Sequence, residues 1–269
     1  MDKDITTVDT ATTIPTVSIV MPTHNRATYI GGAIESILAQ TYKDWELVIV
    51  DDGSTDGTQS IVEPYIARDT RIKCVRQEQN KGIAFSRNNG VARSRGRYIA
   101  MLDSDDLWAS PDKLATQVAA LDADPRIGII GTWLKIIDEG GRPTGAQLSY
   151  PTDDAGIRRS MLYRDALAQS SVLFRKDAFE KAGGYDGRLV VTDDHDLWLK
   201  IGLSYRFATL PRYDLLYRRH PGNITRTRRI TAAIEDFNII KRHSTHYPGS
   251  MIAYIKGAAR YARAIIGFI

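Results

Sequence analysis

The stretch YIAMLDSDDLWAS, residues 98–110, delivers three carboxylates in four residues directly after an apolar run. Carboxylates this close repel one another, and a buried unpaired charge is neutralised by a shifted pKa unless something positive meets it. Asp103 and Asp105 are two apart, so in an extended chain they point the same way. With Asp106 they make a hard oxygen cluster suited to Mg²⁺ or Mn²⁺, held by one or two carboxylates together with a ligand's phosphates. An EF-hand loop is excluded, because Trp108 stands where the loop glycine belongs and no Glu occupies the twelfth position. The competing explanation is a helix N-cap, with Asp106 or Ser110 ahead of a helix that has Pro111 at an early position.

A second acidic turn, DDGSTDG, runs from Asp51 to Gly57. Asp52 could accept a hydrogen bond from a base or ribose, as the acidic residue at a strand end does in dinucleotide folds. The plain alternative is a tight turn closed by Asx hydrogen bonds. His24, in PTHNR, is a candidate ligand, although a lone His near a turn is more often a satisfied or surface residue.

These groups need elements to hold them. VSIVM (17–21) is an apolar run closed by Pro22, Tyr29, Ile30, Ile34, Ile37 and Leu38 recur at helical spacing, and WELVIV (45–50) is a second apolar run. A helix over Gln59–Arg68, a strand at 72–77, a helix over Ala84–Ser94 and a strand at 97–102 follow. The alternation predicts right-handed βαβ crossovers and an α/β fold, its mostly parallel central sheet covered by helices on both faces. Ligands of such sheets sit beyond the carboxyl ends of the strands, so PTHNR, DDGSTDG and DSDD are expected at one crevice. The second half is less regular: a helix near Pro111–Leu121, GIIGTWLKIID (128–138), a Gly-rich turn, a short strand SSVLF (170–174), a helix to Ala182, and LVVTDDHDLWLKIGL (189–203). No repeat or Pro/Ser-rich linker divides the chain. Neither GxGxxG nor GxxxxGK[ST] is present, which leaves any phosphate charge to metal and basic side chains.

The combination VSIVMPTHNRATYIGGAIESILAQTYKDWELVIVDDGSTDGT, then NKGIAFSRNNGVARSRGRYIAMLDSDD, resembles a family 2 glycosyltransferase of the GT-A fold, from about Val17 to Trp108. A weaker resemblance continues through AGGYDGRLVVTDDHDLWLKI and LYRRHPGNIT. It implies a GT-A catalytic domain over 17–225, with a donor-nucleotide half at about 17–108 and an irregular acceptor half at 109–225. By that similarity Pro22, Thr23 and His24 line the base, Asp52 reads it, and Asn80, Lys81 and Gly82 lie beside the nucleoside. Arg87 is implied at the ribose or diphosphate, with an exposed helix arginine as the alternative. Asp103-Ser104-Asp105 corresponds to the DxD motif, with Asp103 and Ser104 toward the ribose or sugar and Asp105 as the direct ligand of Mn²⁺ or Mg²⁺. Asp194 is implied as the base that takes the acceptor's proton, with Asp193 the second choice and an N-cap role the competing explanation. Arg218, Arg219 and His220 resemble a loop closing over the diphosphate, where His220 would add a metal ligand or the arginines would clamp phosphate. The reaction implied is inverting, metal-dependent transfer from a nucleoside-diphosphate sugar, a UDP-sugar favoured, to a hydroxyl of a glycan or lipid-linked glycan in bacterial surface polysaccharide synthesis.

Composition sets the bounds. With 43% hydrophobic and 25% charged residues, the 269-residue chain can bury a substantial core, and its single cysteine excludes an intramolecular disulfide framework. Residues 1–16 are polar and Thr-rich, and are expected to be a flexible leader. A cytoplasmic setting follows as the default. In the basic stretch 226–269, Lys256, Arg260 and Arg263 share one helical face while Ile252, Ile255, Ala259, Ala262 and Ile266 share another. That pattern fits a helix at the inner face of the plasma membrane, a helix packed on the catalytic domain, or a homo-oligomer contact. Two rival classes stay in view. A sugar nucleotidyltransferase would carry a Gly-rich loop where PTHNR stands, and a nucleic-acid binder would interleave aromatic with basic residues; specific nucleic-acid binding is not expected.

Overall fold

The apolar runs that open the chain become neighbouring strands because each is buried on both faces, which only interior parallel strands require. In the computed structural model, which describes residues 14–266, β1 (Val17–Thr23) and β2 (Trp45–Asp51) are buried at every position. Most of the expected leader, residues 1–13, lies outside the described residues. Together with β3 (Ile72–Arg76) and β4 (Tyr98–Met101) these strands form a parallel block in the order β3-β2-β1-β4. Helices α1 (Ile30–Leu38), α2 (Thr58–Arg68) and α3 (Ile83–Arg93) make the crossovers. Alternation along β1 splits the packing. Val17, Ile19 and Met21 meet α1 on one side, and Val20 joins the core on the other, which also holds Trp198.

Exclusively parallel pairing is confined to the block β1 to β4. After the short β5 (Leu107–Trp108) and α4 (Lys113–Ala123), β6 (Ile127–Ile137) turns back through β7 (Pro143–Leu148). Next come α5 (Asp154–Met161), β8 (Leu173–Arg175), α6 (Lys176–Ala182), α7 (Asp193–Ile201) and the long β9 (Arg206–Arg218). β8 runs antiparallel between β4 and β6, β9 runs parallel to β6, and β5 and β7 pair antiparallel at the margins. The sheet is therefore mixed beyond β4.

Two local departures from the sequence reading have clear causes. The expected strand over 170–174 begins instead as a 3₁₀ turn at Gln169–Ser171. There the Ser171 hydroxyl donates to the Ala168 carbonyl at 2.7 Å, offering the backbone an alternative to the ladder. The segment 206–218, which carried no strand expectation, pairs along β6 with a slip that leaves Pro211 and Arg212 unpaired between Thr132↔Leu210 and Trp133↔Tyr213. Proline has no N–H for a ladder, so the bulge falls where it stands.

The chain closes with α8 (Ile224–Thr227), α9 (Arg229–His243) and α10 (Ser250–Ile266). Ile239, Ile240, Tyr247 and Ala253 belong to the same core as Val20 and Trp198, so the inner face of this segment is part of the catalytic fold's own packing. Gly257 lets α10 sit close on α9, since a Cβ there would lie 2.9 Å from Ile240. Among the described residues no helix is long and apolar enough to cross a membrane.

Candidate active site

The register Thr23↔Asp51 and Val20↔Met101 brings the carboxyl ends of β1, β2 and β4 side by side. Their three turns border one open cleft of about 840 Å³. Pro22, Thr23, His24, Asp52, Asn80, Lys81, Gly82, Arg87, Asp103, Ser104, Asp105, Asp193, Asp194 and Arg219 all line it. Of the candidates named from the sequence, Arg218 and His220 do not reach the cleft wall, and His220 stands just behind it against Asp105.

At the carboxyl end of β2 the acidic turn separates two roles. Asp51 closes the Asx turn by accepting from the Ser54 N–H at 2.9 Å. Asp52 instead reaches across to the backbone N–H groups of Lys81, at 2.7 Å, and Gly82, at 2.9 Å. Gly53 makes that approach feasible: its φ is +70°, and a Cβ would stand 2.9 Å from the Gln79 carbonyl carbon. The His24 Nδ1 lies 2.8 Å from the Asp52 carbonyl oxygen, and its Nε2 lies 3.1 Å from the Asn25 amide nitrogen. His24 is thus a satisfied turn residue with one face on the cleft.

The DSDD segment divides its charges three ways. Asp103 receives the Arg87 guanidinium at 3.0 Å. Asp105 receives Arg26 Nε at 3.2 Å and faces His220 Nε2 at 3.0 Å. Asp106 is no N-cap: its carboxylate accepts from the Ser170 hydroxyl at 2.6 Å and from the Arg218 N–H at 2.9 Å, while α4 starts after Asp112. Ser110 does not cap that helix either. Burial, then the charges of Asp105 and Asp103, push Asp106 well above the usual carboxylate range. Burial also pushes Asp105 up, but the His220 hydrogen bond and the Arg26 charge outweigh it and leave Asp105 below the ordinary value.

The expected metal set of Asp105, Asp103 and His220 is not assembled. Among the described residues no three His, Cys, Asp or Glu side chains are grouped to hold an ion. Asp103 is turned to Arg87. His220 Nδ1 accepts from the Gly222 N–H at 3.1 Å, so its Nε2 carries the proton it gives to Asp105 and has no lone pair for a cation. Asp105 alone fits, as a hard oxygen ligand at the cleft wall of the kind that divalent ions share with phosphates. Arg218 is likewise no phosphate clamp: it is buried, donating from Nε to the Asp105 carbonyl at 2.8 Å and lying over the Tyr29 ring. Arg219 is exposed at the rim and makes no ion pair among the described residues.

Across the cleft, α7 presents Asp193 and Asp194. Thr192 occupies the N-cap position and makes no side-chain capping bond, so neither aspartate is explained as a cap. Arg87 is not an exposed helix residue. It is 6% exposed and forks between Asp103 and Asp193, whose two oxygens each lie 2.9 Å from its NH1. Asp193 is therefore neutralised in place. Among the described residues Asp194 accepts only from the adjacent His195 N–H, at 2.8 Å, and it lines the cleft. Burial first, then the charges of Asp165 and Asp193, push its pKa well above the ordinary value.

Sequence reasoning missed three contributors. Arg26 lies in the quoted PTHNR, and its charge beside a DSD cluster was a usable signal. Asp165, on the cleft wall and pushed up to about 6 chiefly by burial, sits in no motif. Glu235 reaches the backbone that leads into Asp193 from more than forty positions away, which no local pattern reveals.

Comparison with known proteins bears on the family and the fold. Residues 18–183 match the family described as Glycosyl transferase family 2. EpsE of Bacillus subtilis (strain 168), a glycosyltransferase by assignment, is 36% identical over 189 residues, 69% of this chain and 66% of that protein. An Escherichia coli protein, UDP-Glc:alpha-D-GlcNAc-diphosphoundecaprenol beta-1,3-glucosyltransferase WfaP, is 31% identical over 84% of this chain and 85% of its own length. Among solved structures, the mannosyltransferase PcManGT from Pyrobaculum calidifontis in complex with GDP-Man and Mn²⁺ superposes with a TM-score of 0.68. That match is 22% identical and covers 95% of this chain and 76% of the other, a likeness of fold.

Proposed function

Because this chain belongs to glycosyl transferase family 2, we propose that it moves a sugar from a UDP-sugar to a hydroxyl of a lipid-linked glycan, with inversion, in building a surface polysaccharide. The observation that carries the reading is the pairing of Arg87 with Asp193. It leaves Asp194 as the carboxylate with an oxygen free toward the cleft, opposite the nucleotide side. The preference for UDP and for a lipid-linked acceptor draws support from the E. coli relative, whose name carries both and a β-linked product.

In the mechanism, the 81–82 backbone and Asp52 hold the nucleoside edge of the cleft, and Asp103 and Ser104 face the ribose or sugar. Asp105 would hold Mn²⁺ or Mg²⁺, which when bound offsets the negative charge growing on the departing diphosphate. Arg219 at the rim adds a guanidinium to the same charge. The acceptor hydroxyl donates to Asp194 as its oxygen attacks the anomeric carbon from the face opposite the diphosphate. The proton passes to Asp194 while the carbon–oxygen bond to the diphosphate breaks. A raised pKa suits this task, because a base near the operating pH combines availability with driving force.

The membrane-facing part of the proposal rests on α10. Its outward face, Met251, Ile252, Ile255, Ala258, Ala259, Ala262, Ile265 and Ile266, is exposed and carries no charge. Lys256 and Arg263 border it. An anionic bilayer at the inner face of the plasma membrane matches both the apolar strip and its basic edge.

The test is nucleoside-diphosphate release across UDP-, GDP- and dTDP-sugars with Mn²⁺, Mg²⁺ or EDTA, using wild type and Asp194→Asn. Asp194→Asn is expected to bind UDP as wild type does and to lose about 10³-fold or more in transfer. Undiminished transfer by this variant would move the base elsewhere.

A further inference from the structure

The aspartates at the start of α7 are held by an element outside the cleft. Glu235, on the buried side of α9, accepts from three consecutive backbone N–H groups, Val190 at 2.8 Å, Val191 at 2.9 Å and Thr192 at 3.1 Å, and also from the Thr192 hydroxyl at 3.1 Å. One carboxylate thus satisfies the whole strap that leads into Asp193. Its neighbour Asp236 lies 3.9 Å from His195 Nδ1, while His195 Nε2 is 2.5 Å from the Met161 carbonyl oxygen. About two turns on, Arg242 and His243 reach Asp196 at 2.7 and 3.1 Å. Every residue flanking the pair, Val190 to Thr192 before it and His195 and Asp196 after it, is gripped from α9. Asp193 and Asp194 are the carboxylates of this stretch that line the cleft, beside the apolar Val190 and Val191.

We propose that α9 is the positioning element of the base and Glu235 its positioning residue, fixing the backbone from which Asp194 meets the acceptor hydroxyl. The inference rests on the reading of Asp194 as base and adds to it. Four hydrogen bonds converging on one buried carboxylate exceed what anchoring a helix needs, since α9 already buries Ala233, Ile239 and Ile240. Three adjacent N–H groups without Glu235 would be left unpaired, and the strap would shift to find partners. Misplacement of a reacting group by about 1 Å costs on the order of 100-fold in rate.

Glu235→Gln is the informative change, because it keeps the shape and loses the charge and half of the accepting capacity. In the full chain, hydrogen exchange of peptides covering 189–196 should quicken, while peptides covering 45–51 stay protected. Turnover of whichever of the UDP-, GDP- or dTDP-sugars wild type uses fastest should fall about 10- to 100-fold in kcat. Affinity for the matching nucleoside diphosphate, titrated with Mn²⁺, should stay within about twofold. Glu235→Asp, which restores the charge on a shorter arm, should recover part of kcat, and it carries the test if the glutamine variant is unstable. Wild-type exchange and kcat in Glu235→Gln, beside an inactive Asp194→Asn, would overturn this proposal alone. An active Asp194→Asn would remove the base assignment and this proposal with it. Equal losses in nucleotide affinity and kcat would reduce Glu235 to general support of the fold and overturn the inference.

Discussion

Arg87 is a guanidinium nearly closed off from solvent with a carboxylate on either side, one from each half of the cleft. Asp193 is 1% exposed, so its charge is affordable only because Arg87 meets both of its oxygens. Breaking such a pair strands a buried charge, which typically costs about 3–5 kcal/mol. Arg87→Gln is therefore expected to destabilise the protein by roughly that amount and to abolish transfer. Arg87→Lys should recover only part, because an ammonium cannot fork between two carboxylates. Chemical denaturation of Arg87→Gln, Asp193→Asn and the double variant checks the argument. The double variant should lose clearly less than the sum of the singles, and strict additivity would mean that the two side chains are not coupled.

Helix α7 is held by charges that titrate in opposite directions. Burial lowers the His195 pKa, but Asp236 and Asp165 outweigh it and raise it from 6.5 to about 9. Burial raises Asp196, yet His243, Lys200 and Arg242 outweigh that and hold it down at about 2. The raised histidine contributes stability that is complete below about 6.5 and lost as pH climbs through about 9. The depressed aspartate contributes stability present above about 3.8 and lost as pH falls toward about 2. Urea denaturation should accordingly show stability declining between pH 6.5 and about 9, and Asp236→Asn should flatten that decline. A slope unchanged by the variant would separate His195 from Asp236. This element also shows where the sequence was readable. The DDHD run marks α7's start, and the apolar runs with their terminal turns predicted the β1, β2 and β4 rim, because strand burial and loop chemistry are local properties. How the two aspartates are held was not readable: that depends on Arg87, 106 positions before Asp193, and on Glu235, 43 positions beyond Thr192. The same holds for β9, whose strand character comes from the partner β6 and survives Pro211 only through a bulge.

At the scale of the whole molecule, α10 inverts the usual amphipathic arrangement of a surface helix. Its small residues Ala253 and Gly257 face α9. Arg260 turns back to the catalytic fold, donating to the Tyr163 carbonyl at 2.7 Å and pairing with Asp236 at 3.3 Å, and Lys256 lies over the Tyr163 ring. The large apolar side chains are left facing outward, Met251 at 74% and Ile255 at 65% exposure. An isoleucine buried from water gains about 1.5–3 kcal/mol, so Ile252, Ile255 and Ile266 supply enough for reversible adsorption to a bilayer when joined by exposed Arg226, Arg228, Arg229 and Arg263. Wild type should sediment with phosphatidylglycerol-containing vesicles and do so less as salt rises, because the basic contribution is screened over about 8–10 Å. Ile252→Asp with Ile255→Asp should weaken that binding at least about tenfold while leaving nucleoside-diphosphate release from a soluble donor within about twofold, since neither residue touches the cleft. If the double variant instead turns a dimer into a monomer and vesicle binding was never present, the outward strip is a contact between two copies and the membrane assignment fails.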